Sequence, residues 1–105
     1  MKVPVLLALM LIIGSSASAQ SADSLEQALP QAEGAQKVKI MNELFRAYIN
    51  SDPVKAITYT REALNLAGMV KDDKGMAASY NNLGVAYRNQ GALEVSLENY
   101  VKSLE

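Results

Sequence analysis

The chain has 105 residues, enough for one domain, and its 10 Lys and Arg against 11 Asp and Glu give a formal net charge of −1. These charges are mixed along the chain rather than blocked, which argues against nucleic acid, whose affinity rests on clustered Lys and Arg neutralising phosphates. Zero Cys excludes disulfides, thiolate metal sites and thiol nucleophiles, and zero His removes the commonest general base and metal ligand.

Taken in chain order, residues 1–19 read as a signal peptide. Lys2 is a minimal positive start, Val5–Ile13 a short apolar run, and Ala17-Ser18-Ala19 a small-x-small cleavage signal before Gln20. The run falls short of the roughly 20 apolar residues that a membrane-spanning helix needs. No Cys follows the small residues, which argues against a lipoprotein anchor. An exported, periplasmic chain cleaved after Ala19 is the expectation; the other reading of this run is an uncleaved anchor or a core helix.

Residues 20–34 predict a short leading helix and a linker. Asp23 is expected to cap free backbone N–H groups, with Glu26 reaching back to the cap; Leu25, Ala28 and Leu29 share a face, and Pro30 ends the segment. From about Ala35 to Ile49, Val38, Met41, Leu44, Phe45 and Tyr48 recur at helical steps. Asn50-Ser51-Asp52-Pro53 is the strongest punctuation in the chain, with Asp52 suited to an N-cap and Pro53 to the first helical position. The next helix runs from Pro53 to about Met69, with Ala56, Ile57, Tyr59, Thr60, Ala63, Leu64 and Ala67 inward. Lys71-Asp72-Asp73-Lys74-Gly75 predicts a turn capped by Asp73. A third long helix spans Gly75–Gln90, ended by Gly91 in the left-handed conformation. A fourth starts at Ala92 and directs Leu93, Leu97, Tyr100, Val101 and Leu104 toward the core. No stretch alternates with period two for long enough to make a strand, so the predicted class is all-α.

An internal repeat links these helices. Leu44 matches Leu83 and Tyr48 matches Tyr87 at 39 residues; Ala56 matches Ser96 and Ala63 matches Ser103 at 40. Within the second unit, Tyr80, Leu83, Gly84, Tyr87, Gly91, Ser96, Tyr100 and Ser103 follow a spacing that resembles the tetratricopeptide (TPR) pattern. The spacing has a physical cause: two antiparallel helices approach closely where Gly84 has no side chain, while Tyr80, Leu83 and Tyr87 fill the gap. The resemblance covers residues 37–105 and is similar to the long-spaced arrays in exported N-terminal regions of bacterial sensor histidine kinases and nucleotide cyclases. Tyr80-Asn81-Asn82-Leu83-Gly84 and Asn50-Ser51-Asp52-Pro53-Val54-Lys55-Ala56 carry that similarity. The chain departs from the pattern in the first unit, with Met41 in place of an aromatic and Phe45 in place of Gly. The second unit departs at Ser96 and Ser103, which stand where Ala is common. Phe45 implies a wider helix spacing in the first unit.

What the resemblance implies is an α-solenoid of helix–turn–helix repeats over residues 35–105, in units of about 35–74 and 75–105, the second incomplete. Such units bury their apolar faces only by stacking. The first helix of each unit would line a groove for a protein or peptide partner, placing there Lys39, Asn42, Glu43 and Arg46 from one unit and Ala78, Asn81, Asn82, Val85 and Arg88 from the other. Asn can bond a peptide main chain and Arg a carboxylate. Val85 stands where the carboxylate clamp of chaperone-binding TPRs needs Asn, so that specialised role is not implied. Leu44, Tyr48, Ala56, Ala63, Tyr80, Leu83, Gly84, Tyr87, Ser96, Tyr100 and Ser103 would pack the repeats. The final helix would leave apolar surface open, for self-association or further repeats.

Catalysis finds little footing. Glu94 with Glu98, and Asp72 with Asp73, could be drawn as acid–base pairs, but exposed helix carboxylates and turn caps explain them more simply. No glycine-rich phosphate loop occurs. The expectation is therefore a non-enzymatic binding module without cofactor or metal. The alternative is the sensory front of a membrane kinase or cyclase; a small standalone enzyme is disfavoured.

Overall fold

A computed structural model describes residues 21–105, and these are all-helical, with no strand among them. The expected signal peptide at 1–19 lies outside the described residues. The elements are α1 (Ala22–Ala28), a 3-10 turn (Leu29–Gln31), α2 (Gly34–Tyr48), α3 (Pro53–Val70), α4 (Asp73–Asn89) and α5 (Leu93–Leu104).

Local chemistry sets the boundaries. Asp52 caps α3 through Oδ1, which accepts the Lys55 N–H at 3.2 Å, and Pro53 occupies the first turn, where a missing N–H leaves nothing unpaired. Gly91 adopts the expected left-handed conformation, at φ 81°. Two expected caps are corrected. Asp72, not Asp73, caps α4, its Oδ1 accepting the Gly75 N–H at 3.0 Å, so the helix begins two residues before Gly75. Ser21, not Asp23, caps α1 by accepting the Ser24 N–H at 3.2 Å. Asp23 instead sits in the first turn, where its charge suits the helix dipole. At the far end of α3 the chain turns through Lys71 with φ 58°, a left-handed conformation that a Cβ disfavours.

Helices next to each other in sequence pack on each other: α2 on α3, α3 on α4, α4 on α5, with α2 also touching α4 and α1 lying on α2. The apolar interior forms three adjoining groups. Val38, Met41, Ala63 and Ala67 join α2 to α3, with Met76 of α4 against them. Leu25 of α1 closes over Ile40 and Leu44. Phe45, Ala56 and Ala86 bring three helices together, and Phe45 is fully enclosed. Phe45 thus fills the crossing at the position that matches Gly84 in the second unit, packed with the small Ala56 of α3.

The second hairpin solves the same problem in reverse. A Cβ on Gly84 would lie 2.7 Å from the Tyr100 ring, and Ser96 Oγ donates to the Gly84 carbonyl at 2.7 Å. The close approach expected at Gly84 is therefore present, between α4 and α5. The inward apolar face expected for α5 is not: Leu93, Leu97, Val101 and Leu104 are exposed, and Ser96 is the helix's one buried residue. The cause is simple. Among the described residues α5 touches only α4, so one side of the helix is covered and the other is not.

Candidate binding groove

The groove is built on a buried polar knot. Asn42 is 5 % exposed and lies at the centre of α2, α3 and α4. Its Oδ1 accepts Thr60 Oγ1 at 2.7 Å, Ser79 Oγ at 3.1 Å and Asn82 Nδ2 at 3.2 Å, while its own Nδ2 donates to the Gly75 carbonyl at 3.4 Å. Ser79 Oγ also lies 2.8 Å from the Gly75 carbonyl, and Asn82 Nδ2 lies 3.4 Å from the Asn42 carbonyl. No buried side-chain nitrogen or oxygen among the described residues lacks a partner. A fully satisfied network of this kind fixes the relative placement of three helices, because any slip strands a desolvated polar group.

Above the knot, α2 and α4 border a depression of about 320 Å³ lined by Ala35, Val38, Lys39, Asn42, Glu43, Arg46, Asp72, Lys74, Gly75 and Ala78. Gly75 allows the two helices to approach: a Cβ there would come within 2.6 Å of Val38 Cγ1. The rim carries three cations, Lys39, Arg46 and Lys74, against the carboxylates of Glu43 and Asp72, and Asp72 is engaged in capping α4.

Of the residues assigned to a groove from sequence, the structure brings Lys39, Asn42, Glu43, Arg46 and Ala78 together around this depression. Asn82 does not face it as a free amide. It is 2 % exposed and its donor group is spent on Asn42 and Thr60. Asn81 and Arg88 are exposed further along α4, and Val85 is half-buried against the Phe45 group; none of the three lines the depression. Ala35, Val38, Asp72, Lys74 and Gly75 escaped sequence reading. Asp72 and Lys74 fall in the expected turn, and the position of the true cap is the signal that moves Lys74 into the helix.

Among the residues assigned to packing, Leu44, Ala56, Ala63, Leu83, Gly84 and Ser96 are buried. The half-buried ones find polar or cationic neighbours. Arg61 donates to the Tyr87 hydroxyl, Lys102 Nζ lies 5.7 Å from the Tyr80 ring centroid, and Ser103 Oγ donates to the Tyr100 carbonyl at 2.6 Å.

Glu26 is a site that sequence reading assigned elsewhere. It does not reach back to its own helix start. Its carboxylate accepts Tyr48 Oη at 2.6 Å and Tyr59 Oη at 2.7 Å, and Lys55 Nζ stands 3.2 Å away. The two tyrosine rings stack at 6.3 Å, and Lys55 Nζ lies 4.4 Å from the Tyr48 ring centroid. The phenol donors, Tyr48 first, hold the Glu26 carboxyl down at about 2. Burial, then the hydrogen bond to Glu26, pushes Tyr59 up to about 12, and the Glu26 hydrogen bond likewise raises Tyr48 and Lys55. The arrangement is a latch holding α1 to α2 and α3.

Among the described residues no cluster of three or more metal-ligating side chains occurs, and no helix is long and apolar enough to cross a membrane. No protein-family model, curated protein or solved structure matches the chain.

Proposed function

We propose that this chain is an exported, non-catalytic module of the tetratricopeptide type, which holds an extended peptide or protein segment against the α2–α4 face. The observation that carries the reading is the depression over the Asn42 knot. Its floor is rigid because every polar group beneath it is paired, and its rim offers Lys39, Arg46 and Lys74 as donors. Two consecutive helical hairpins, each crossing at a small residue opposite a large one, support the repeat reading. The excess of cationic rim groups over uncommitted carboxylates favours a segment bearing acidic side chains. The apolar run Val5–Ile13 followed by Ala17-Ser18-Ala19 supports export.

Binding of the chain to an array of acidic and basic peptides, beside its Lys39→Glu, Arg46→Glu variant, tests the groove. Both positions are exposed, so the fold should persist while affinity for acidic peptides falls about tenfold or more. Equal binding by the two proteins rejects the assignment. Mass spectrometry of the exported protein tests the leader: a mature N-terminus at Gln20 is expected, and retention of Met1 in the cytoplasm counts against it.

A further inference from the structure

The depression between α2 and α4 has a floor and a rim of different chemistry. Of its lining, Val38, Asn42 and Gly75 are buried and make the floor, while Ala35 and Ala78 stand as walls. The polar atoms of the floor are already engaged: the Asn42 amide oxygen takes three donors, and the Gly75 carbonyl takes Asn42 Nδ2 and Ser79 Oγ. Asn82 is spent on Asn42 and Thr60. Neither amide is free to hold a peptide main chain, so the floor offers apolar contact instead. The rim is charged. Lys39, Arg46 and Lys74 are exposed, and among the described residues the one ion pair is Lys55 with Glu26, so these three cations hold no carboxylate of the chain. Lys39 and Arg46 stand seven positions apart on α2, which is roughly 10 Å along a helix axis.

We infer that the groove selects an internal, extended segment with two acidic side chains three positions apart and one aliphatic side chain between them. This rests on the groove reading above and specifies what the bound segment carries. Volume sets the first condition. A cavity of roughly 150 Å³ holds benzene, so a depression of about 320 Å³ admits one branched aliphatic side chain with the backbone that bears it. It excludes a helix, which is roughly 10–12 Å across. The rim sets the second condition. An extended chain advances roughly 3.3 Å per residue, so acids at the first and fourth positions span the distance from Lys39 to Arg46. Glu43 sets the third. It lies between those two cations on α2, so an acid placed midway meets like charge, whereas an aliphatic side chain there meets Val38. Cations at both ends of the depression call for charge at both, so the segment passes through rather than ending in it.

The probes are peptides blocked at both ends: Gly-Ser-Glu-Leu-Ser-Glu-Ser-Gly, the same peptide with serine in place of leucine, and a third whose two acids are adjacent. The first should bind the full chain saturably, the leucine-free peptide about tenfold more weakly, and the third about threefold more weakly or worse. Ala78→Leu fills the apolar space from the α4 side. It should erase the difference between the first two peptides while keeping affinity for the leucine-free one within about twofold of the parent's. NMR shifts of the Val38 methyls read the floor without any variant, and they should respond to the leucine peptide alone. Equal binding of all three peptides overturns the inference and leaves the acidic-groove reading standing. A fourth peptide, ending in a free carboxylate directly after the leucine and binding more tightly than the first, also overturns it. If no acidic peptide binds a chain that keeps its cooperative melt, the groove reading falls and this inference with it.

Discussion

The two hairpins carry the same crossing and very different amounts of structure around it. α2 and α3 are enclosed: α1 lies over Ile40 and Leu44, the Glu26 latch ties all three helices together, and the Asn42 knot binds them to α4. α5 has a single neighbour and one buried residue. A repeat sequence therefore does not give repeated stability. What each helix contributes depends on how many sides of it are covered, and that varies from three neighbouring helices for α2 to one for α5.

The largest expected effect separates the hairpins directly. Phe45→Ala empties a fully enclosed site between three helices and should cost about 3–5 kcal/mol, whereas Leu97→Ala on the open side of α5 should stay within about 0.5 kcal/mol. Paired denaturant melts check both. Comparable losses would mean that α5 is covered in solution.

Next comes the knot. Asn42→Ala leaves Thr60, Ser79 and Asn82 without their common acceptor and should cost about 2–4 kcal/mol. Hydrogen exchange should show α2, α3 and α4 opening together. If the loss stays confined to α2, the network does not couple the three helices.

Gly84→Ala should cost about 1–3 kcal/mol, because the new methyl must displace the Tyr100 ring. Its signature sharpens the comparison: amides of α5 should lose protection while those of α2 and α3 keep theirs. Uniform loss of protection would show the hairpins to be one cooperative unit.

The gentlest probe is acid. The Glu26 carboxyl is held at about 2 against an ordinary value of 4.5, so its stabilising effect is complete above 4.5 and lost as pH falls toward 2. The parent should exceed Glu26→Gln in Tm at neutral pH, and the gap should close across that window. A constant gap would show that the latch does not depend on the carboxylate's charge.

Periodicity carried the helices. Apolar residues at three- and four-residue steps placed all four long helices near their observed spans, and Gly84 announced a close helix approach, though the ring that fills it is Tyr100 rather than Tyr80 or Tyr87. Three features stayed hidden, each for the same reason. Asn42 on α2 and Asn82 on α4 read as surface amides because what they bond comes from other helices, Thr60 of α3 for both and each the other. Glu26 read as a local capping residue because Tyr48 and Tyr59, which claim it, lie 22 and 33 residues away. α5 read as inward-facing because an amphipathic pattern records which side is apolar and says nothing of whether a neighbour stands there. The misplaced cap is different: Asp72 and Asp73 are adjacent and chemically equal, and only the backbone at Asp72, extended at ψ 91°, distinguishes them.

Phe45 and Gly84 occupy matching places, the first packed against the small Ala56 and the second against the Tyr100 ring, so the two hairpins trade volume across the crossing. That trade makes their halves incompatible. During folding, α2 closing wrongly onto α5 in place of α4 would drive Phe45 into the Tyr100 ring, which leaves room only for the bare backbone of Gly84. The correct pairing is thereby written in shape, and a chain of near-identical parts gains a way to keep them from being shuffled.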